Sequence, residues 1–183
     1  MILVKDDYLP SNIFEELHEY SKKEEFKVIQ AGEKGFLTIP TPEKVLPYFQ
    51  IDGHELFLSF IRKAHKNFDT DLRIHADNII LNKKAVLASI LYLNKDSEDI
   101  TENGTAFYDH KTYGHKLTDE NIDKFDDIIT KHSNYQSFWN KTNFISSKEN
   151  RMLMYDADYF HSKYPAKIEK GERIVLVNFY TFK

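Results

Sequence analysis

Two residues set close together, His75 and Asp77 in Leu-Arg-Ile-His-Ala-Asp-Asn over 72–78, carry the chemistry this chain offers most clearly. In an extended segment, side chains at i and i+2 point to one face, so an imidazole and a carboxylate project together. A second imidazole from elsewhere completes a two-histidine, one-carboxylate set. That set suits non-heme Fe(II) and leaves positions open for other ligands. His161, in Tyr-Phe-His-Ser-Lys-Tyr-Pro over 159–165, is the best supplier. Asp158-x-x-His161 is an alternative pair, but only Asp77 shares an extended face with His75. Arg173 follows in an apolar run, Glu172 to Phe182. A buried guanidinium must be paired, either by an internal carboxylate or by a bound one that meets its planar fork.

The elements that must position these groups are legible from patterning. Residues 1 to 8 fit a short edge strand. Leu9-Pro10-Ser11-Asn12 starts a helix, with Glu15 at capping-box spacing from Asn12 and Ile13, Phe14, Leu17 and Tyr20 on one face. Val28-Ile29 and Phe36 to Ile39 are extended segments split by Gly32 and Gly35. Asp52, with Glu55 three residues on, predicts a second helix whose buried stripe is Leu56, Phe57, Phe60, Ile61, Ala64 and Phe68. Period two takes over at Leu72. Strands are expected at 72–77, 85–93, 104–108, 151–155 and 172–182, with a polar loop at 95–103. Residues 110–150 form an insertion between strands, with a helix capped by Thr118, stapled by Leu117 and Ile122, and running to about Lys131. It either covers the site and selects the substrate or pads one sheet. His110 and His115, in and beside it, are candidate substrate contacts or plain loop histidines. The fold class is α+β, a jelly roll with N-terminal helices packed on one sheet and a helical insertion. It is organised as a single domain, 1–183, with helices and flanking strands in 1–71 and the core in 72–183.

Composition bounds the rest. The 183 residues suffice for one full core, and the 14 Phe and 11 Tyr suit a sheet-dominated one. A net charge of −4 gives no general attraction to nucleic acid. The chain has no Cys, so any metal is held by His, Asp and Glu. Met-Ile-Leu-Val is too short for a signal-peptide core, no apolar run approaches membrane length, and a cytoplasmic location is the default expectation.

His75-Ala-Asp77-Asn78, Ile90 to Asp96, Asn103-Gly104-Thr105, His161 with Pro165, and Arg173 with Phe179-Tyr180 come in one order. Together they resemble the Fe(II)/2-oxoglutarate-dependent dioxygenase superfamily, most closely its prolyl-hydroxylase-like branch. The resemblance covers about 72–109 and 151–183. It implies a double-stranded β-helix, iron on His75, Asp77 and His161, and 2-oxoglutarate held by Arg173 with a hydrogen bond from Tyr92. It also implies oxidative decarboxylation coupled to C–H hydroxylation of a peptidyl (including prolyl) or small-molecule substrate, with ascorbate as an optional reductant. The alternative is a cupin-like jelly roll that binds metal without oxygenase chemistry, or an isomerase. This chain departs from the family pattern at Asn103, where Gly is common, and at Val175 and Val177, where a hydroxyl residue is common. Phe179 stands where nucleic-acid demethylases carry a second Arg, which argues against nucleobase repair.

Overall fold

A computed structural model describes the whole chain except residues 32 and 33, so the expected break at Gly32 lies outside the described residues. Antiparallel sheet dominates. The strands are β1 (Ile2–Lys5), β2 (Lys27–Ala31), β3 (Lys34–Pro40), β4 (His54–His65), β5 (Ile79–Ile80), β6 (Lys83–Lys84) and β7 (Leu87–Tyr92). They continue with β8 (Gly104–His110), β9 (Trp139–Ser146), β10 (Met152–Asp156), β11 (His161–Tyr164) and β12 (Glu172–Phe182). One sheet has the order β1-β10-β7-β12-β4-β3-β2, and a smaller one β11-β8-β9. Strands β5 and β6 form a separate hairpin.

Three apolar clusters follow from strand alternation. Outside the large sheet, Ile61, Leu91, Ile174 and Leu176 meet Phe14 and Leu17 of helix α1 (Ser11–Lys23). Burial of two such helix side chains contributes about 1.5–3 kcal/mol each. Between the sheets, Ile90, Tyr92, Tyr155, Val175 and Phe179 meet Phe107 of β8. Outside the small sheet, Ala106, Tyr108 and Phe160 are covered by Leu117, Ile128 and Trp139. Gly104 allows the closest approach of β8 to β9, since a Cβ there would lie 2.1 Å from the Ile145 carbonyl oxygen.

Four local expectations are corrected. The second helix is strand β4. Gly53, at φ +75°, turns the chain where Asp52 looked like a cap. The apolar stripe instead serves both faces of an inner strand held between β12 and β3. Helix α1 forms as expected, but Pro10 takes the N-cap position and no side chain caps it. In the insertion, the expected long helix is a 3-10 turn at Ile122–Lys124 and a π-helical segment at Asp126–Lys131. The Asn121 amide ties down the start of this stretch. Its oxygen takes the Thr118 N–H at 2.7 Å, and its nitrogen donates to the Tyr113 and Lys116 carbonyls. Ile122 is exposed and staples nothing. Finally, the 110–150 stretch is not all insertion: it includes β9, a strand of the small sheet, and its Leu117 and Ile128 pack on that sheet's outer face.

Candidate metal centre

His75 and Asp77 do not sit in a regular strand. Arg73, at φ +39°, breaks the run. Extended geometry resumes at one point, where His75 N donates to His161 O at 3.0 Å and His161 N donates to His75 O at 2.9 Å. Asp77 N then donates to Ala157 O at 2.7 Å. Directly opposed residues of such a pair project to the same side. The two imidazoles therefore face each other, centroids 4.5 Å apart, and Asp77 joins them by the i, i+2 rule.

The three side chains meet as ligands would. One ligand atom from each lies within 4.8 Å of the others. Asp77 Oδ1 is 3.3 Å from His75 Nε2, and Oδ2 is 3.2 Å from His161 Nε2. Both Nδ1 atoms donate to backbone carbonyls, His75 to Arg73 O and His161 to Tyr159 O, each at 2.9 Å. Those bonds fix the tautomer and leave both Nε2 lone pairs facing the carboxylate. Burial works against the Asp77 anion, and only positive charge or a donated proton at the His161 and His75 rings draws its pKa below the usual carboxylate range. Burial, and then the neighbouring His161, push the His75 imidazolium down. Lone pairs and one carboxylate converging in a dry site call for a cation.

The same cavity, of about 60 Å³, runs between the sheets past Ile90, Val175 and Phe179 to three cations, Arg62, Lys163 and Arg173. Arg62 is spoken for, its Nε donating to Asp69 Oδ2 at 3.0 Å. Lys163 donates to Asp71 O at 2.8 Å and to Ala166 O, and burial draws its pKa down to about 8. Arg173 is different. It is 3% exposed, and its Nε has no hydrogen-bond partner among the described residues. Its guanidinium lies 5.7 Å from the centre of the Tyr92 ring. The Tyr92 hydroxyl is bonded to Thr105 Oγ1 at 2.8 Å and donates to Ile145 O at 3.3 Å. Thr105 thus supplies a hydroxyl on this wall where Val175 does not.

Tyr155, absent from the sequence reading, reaches the cluster from β10 with its hydroxyl 3.0 Å from His161 Nε2. A tyrosine in an apolar strand carries no sequence signal beyond core packing. His110 and His115 are placed elsewhere. His110 Nε2 lies 2.9 Å from His132 Nδ1, inside the aromatic cluster behind the small sheet. His115 packs edge-on to Tyr159. A larger cavity, about 420 Å³, opens between the β5–β6 hairpin and the start of the insertion, lined by Asn78, Lys84, Lys116, Asp119 and Asp158.

Comparisons place this geometry among known folds. A family model described as "Family of unknown function (DUF6445)" matches residues 43–174. No curated protein matches the sequence. The fold is shared with the non-heme alpha-ketoglutarate-dependent carbocyclase SnoK from nogalamycin biosynthesis, at TM-score 0.68, 11% identity, and coverage of 98% of this chain and 78% of that one. HygX from Streptomyces hygroscopicus, solved with nickel, 2-oxoglutarate and hygromycin B bound, aligns at TM-score 0.59 and 12% identity, covering 100% of this chain and 83% of that one. A prolyl-4-hydroxylase from Pseudomonas putida aligns at 0.55 and 11%, covering 100% and 92%. The mostly antiparallel architecture is thus that of the 2-oxoglutarate and Fe(II) oxygenases.

Proposed function

For this chain, which belongs to a family of unknown function (DUF6445), we propose a 2-oxoglutarate-dependent Fe(II) oxygenase built on a single double-stranded β-helix domain. The observation that carries the reading is Arg173. A guanidinium buried between the sheets with an orphaned Nε is costly by itself, and a carboxylate from a ligand satisfies it. A plain metal-binding or isomerising jelly roll has no need of that group. His75, Asp77 and His161 would hold the metal, and Arg173 the distal carboxylate of the cosubstrate. Thr105 lines the same cavity, and Tyr92, the proposed hydrogen-bond partner of that carboxylate, has its hydroxyl paired to Thr105 in this structure. When bound, the iron and 2-oxoglutarate supply oxidative decarboxylation and the power to functionalise a C–H bond.

The chain's own residues position and exclude water. The Nδ1 bonds aim both imidazoles, and Val175, Val177 and Phe179 keep the wall between metal and guanidinium apolar. Hydroxylation of a peptidyl or small-molecule substrate is the outcome proposed, with a peptidyl residue first. His115, beside Tyr159, stays a candidate substrate contact, whereas His110, buried and bonded to His132 behind the small sheet, is a packing residue.

Anaerobic calorimetry with Mn(II) in place of Fe(II), followed by 2-oxoglutarate, tests the proposal. The expected result is metal binding, then metal-dependent cosubstrate binding. Metal uptake without any 2-oxoglutarate affinity would leave a metal-binding jelly roll instead.

A further inference from the structure

Tyr155 is 1% exposed, its ring edge-on to Phe107 with centroids 5.3 Å apart. Packing alone would be served by phenylalanine. A buried hydroxyl is costly unless it is bonded, and this one lies 3.3 Å from Asp77 Oδ2 and 3.0 Å from His161 Nε2. Proton bookkeeping decides what it does. Both histidines spend their Nδ1 protons on backbone carbonyls, so neither neutral ring has an Nε2 proton to give Asp77. The phenol has one proton and faces two acceptors.

We propose that Tyr155 is a positioning residue of the metal centre. With a divalent ion on His161 Nε2, the phenolic proton is left to Asp77 Oδ2. It then holds that oxygen back and presents the carboxylate to the ion through Oδ1. This rests on the reading of His75, Asp77 and His161 as metal ligands. It assigns to Tyr155 what hydrogen-bonded partners of ligating carboxylates do in general, which is to fix orientation and coordination mode.

The test compares Tyr155→Phe with Ile2→Ala, a packing control that loosens the cluster around Tyr155 from the neighbouring strand but keeps the hydroxyl. Mn(II) affinity is measured by calorimetry and coordination by the visible d–d absorption of the Co(II) form. Loss of a hydrogen-bonded partner of this kind is expected to weaken Mn(II) binding about 10- to 100-fold in Tyr155→Phe. Its Co(II) spectrum should also change, as the freed carboxylate adds its second oxygen. Ile2→Ala should keep wild-type affinity and spectrum. Unchanged affinity and spectrum in Tyr155→Phe overturn the proposal, as do equal losses in both variants, which would make the effect one of packing. Wild-type protein that takes up neither ion removes the metal reading itself, and this inference with it.

Discussion

Arg173 is the residue on which the cosubstrate reading turns. Arg173→Lys keeps the charge but loses the planar fork. With charge-assisted bonds contributing about 1.5–3 kcal/mol each, 2-oxoglutarate affinity should fall roughly tenfold to a hundredfold while Mn(II) affinity holds. Unchanged 2-oxoglutarate affinity in Arg173→Lys and Arg173→Ala would sink the clamp. Tyr92→Phe should cost on the order of 1 kcal/mol, because it breaks the Thr105 bond that orders the same wall. The convergence of His75, Asp77 and His161 was legible because an i, i+2 pair keeps its common face even where the strand is broken. Tyr155 was not legible. Its hydroxyl reaches Asp77 only because Asp77 N bonds to Ala157 O, just past the end of β10, and no local pattern encodes that.

Strand β4 shows where patterning fails. Its apolar residues satisfy the spacing of a helix face, and only the demand of β12 and β3 for a partner decides otherwise. A register shift between Phe179 and Tyr180 leaves Phe57 without an opposite residue, so Phe57 and Leu58 both turn to the inner cluster. The strand at 172–182 was readable because it is long and apolar, whereas of β8 only 104–108 was read, since Asp109 and His110 at its end are polar. The insertion was misjudged because local capping signals do not show how far the helix runs. Its packing is testable at Ile128, fully buried behind the small sheet. Ile128→Ala should destabilise the fold by about 2–5 kcal/mol in urea titration. Metal affinity in the surviving folded fraction should be unchanged, and a weakened metal site there would mean that the insertion reaches the centre directly.

At the scale of the molecule, acid stability should depend on Asp69. Burial alone would raise its pKa, but Arg62 and Lys163 overcome that and lower it. A carboxylate depressed in the folded state contributes stability above its unfolded pKa of roughly 4, and loses it as pH falls through the lower folded value. Asp69→Asn should therefore be less stable at neutral pH and flatter in its acid limb, measured as thermal midpoint against pH. An acid limb identical to wild type would rule Asp69 out. Mn(II) at a hundred times its Kd should add about 2.7 kcal/mol to equilibrium stability. How that gain divides between rates depends on the paired backbone bonds of His75 and His161. They join positions 86 residues apart (161 − 75), so the ligand set exists only once the chain has closed a long loop. If that closure comes after the rate-limiting barrier, the ion cannot hasten folding and acts as a clasp on the finished molecule. In stopped-flow chevrons the unfolding limb should drop with Mn(II) while the refolding limb stays where it was.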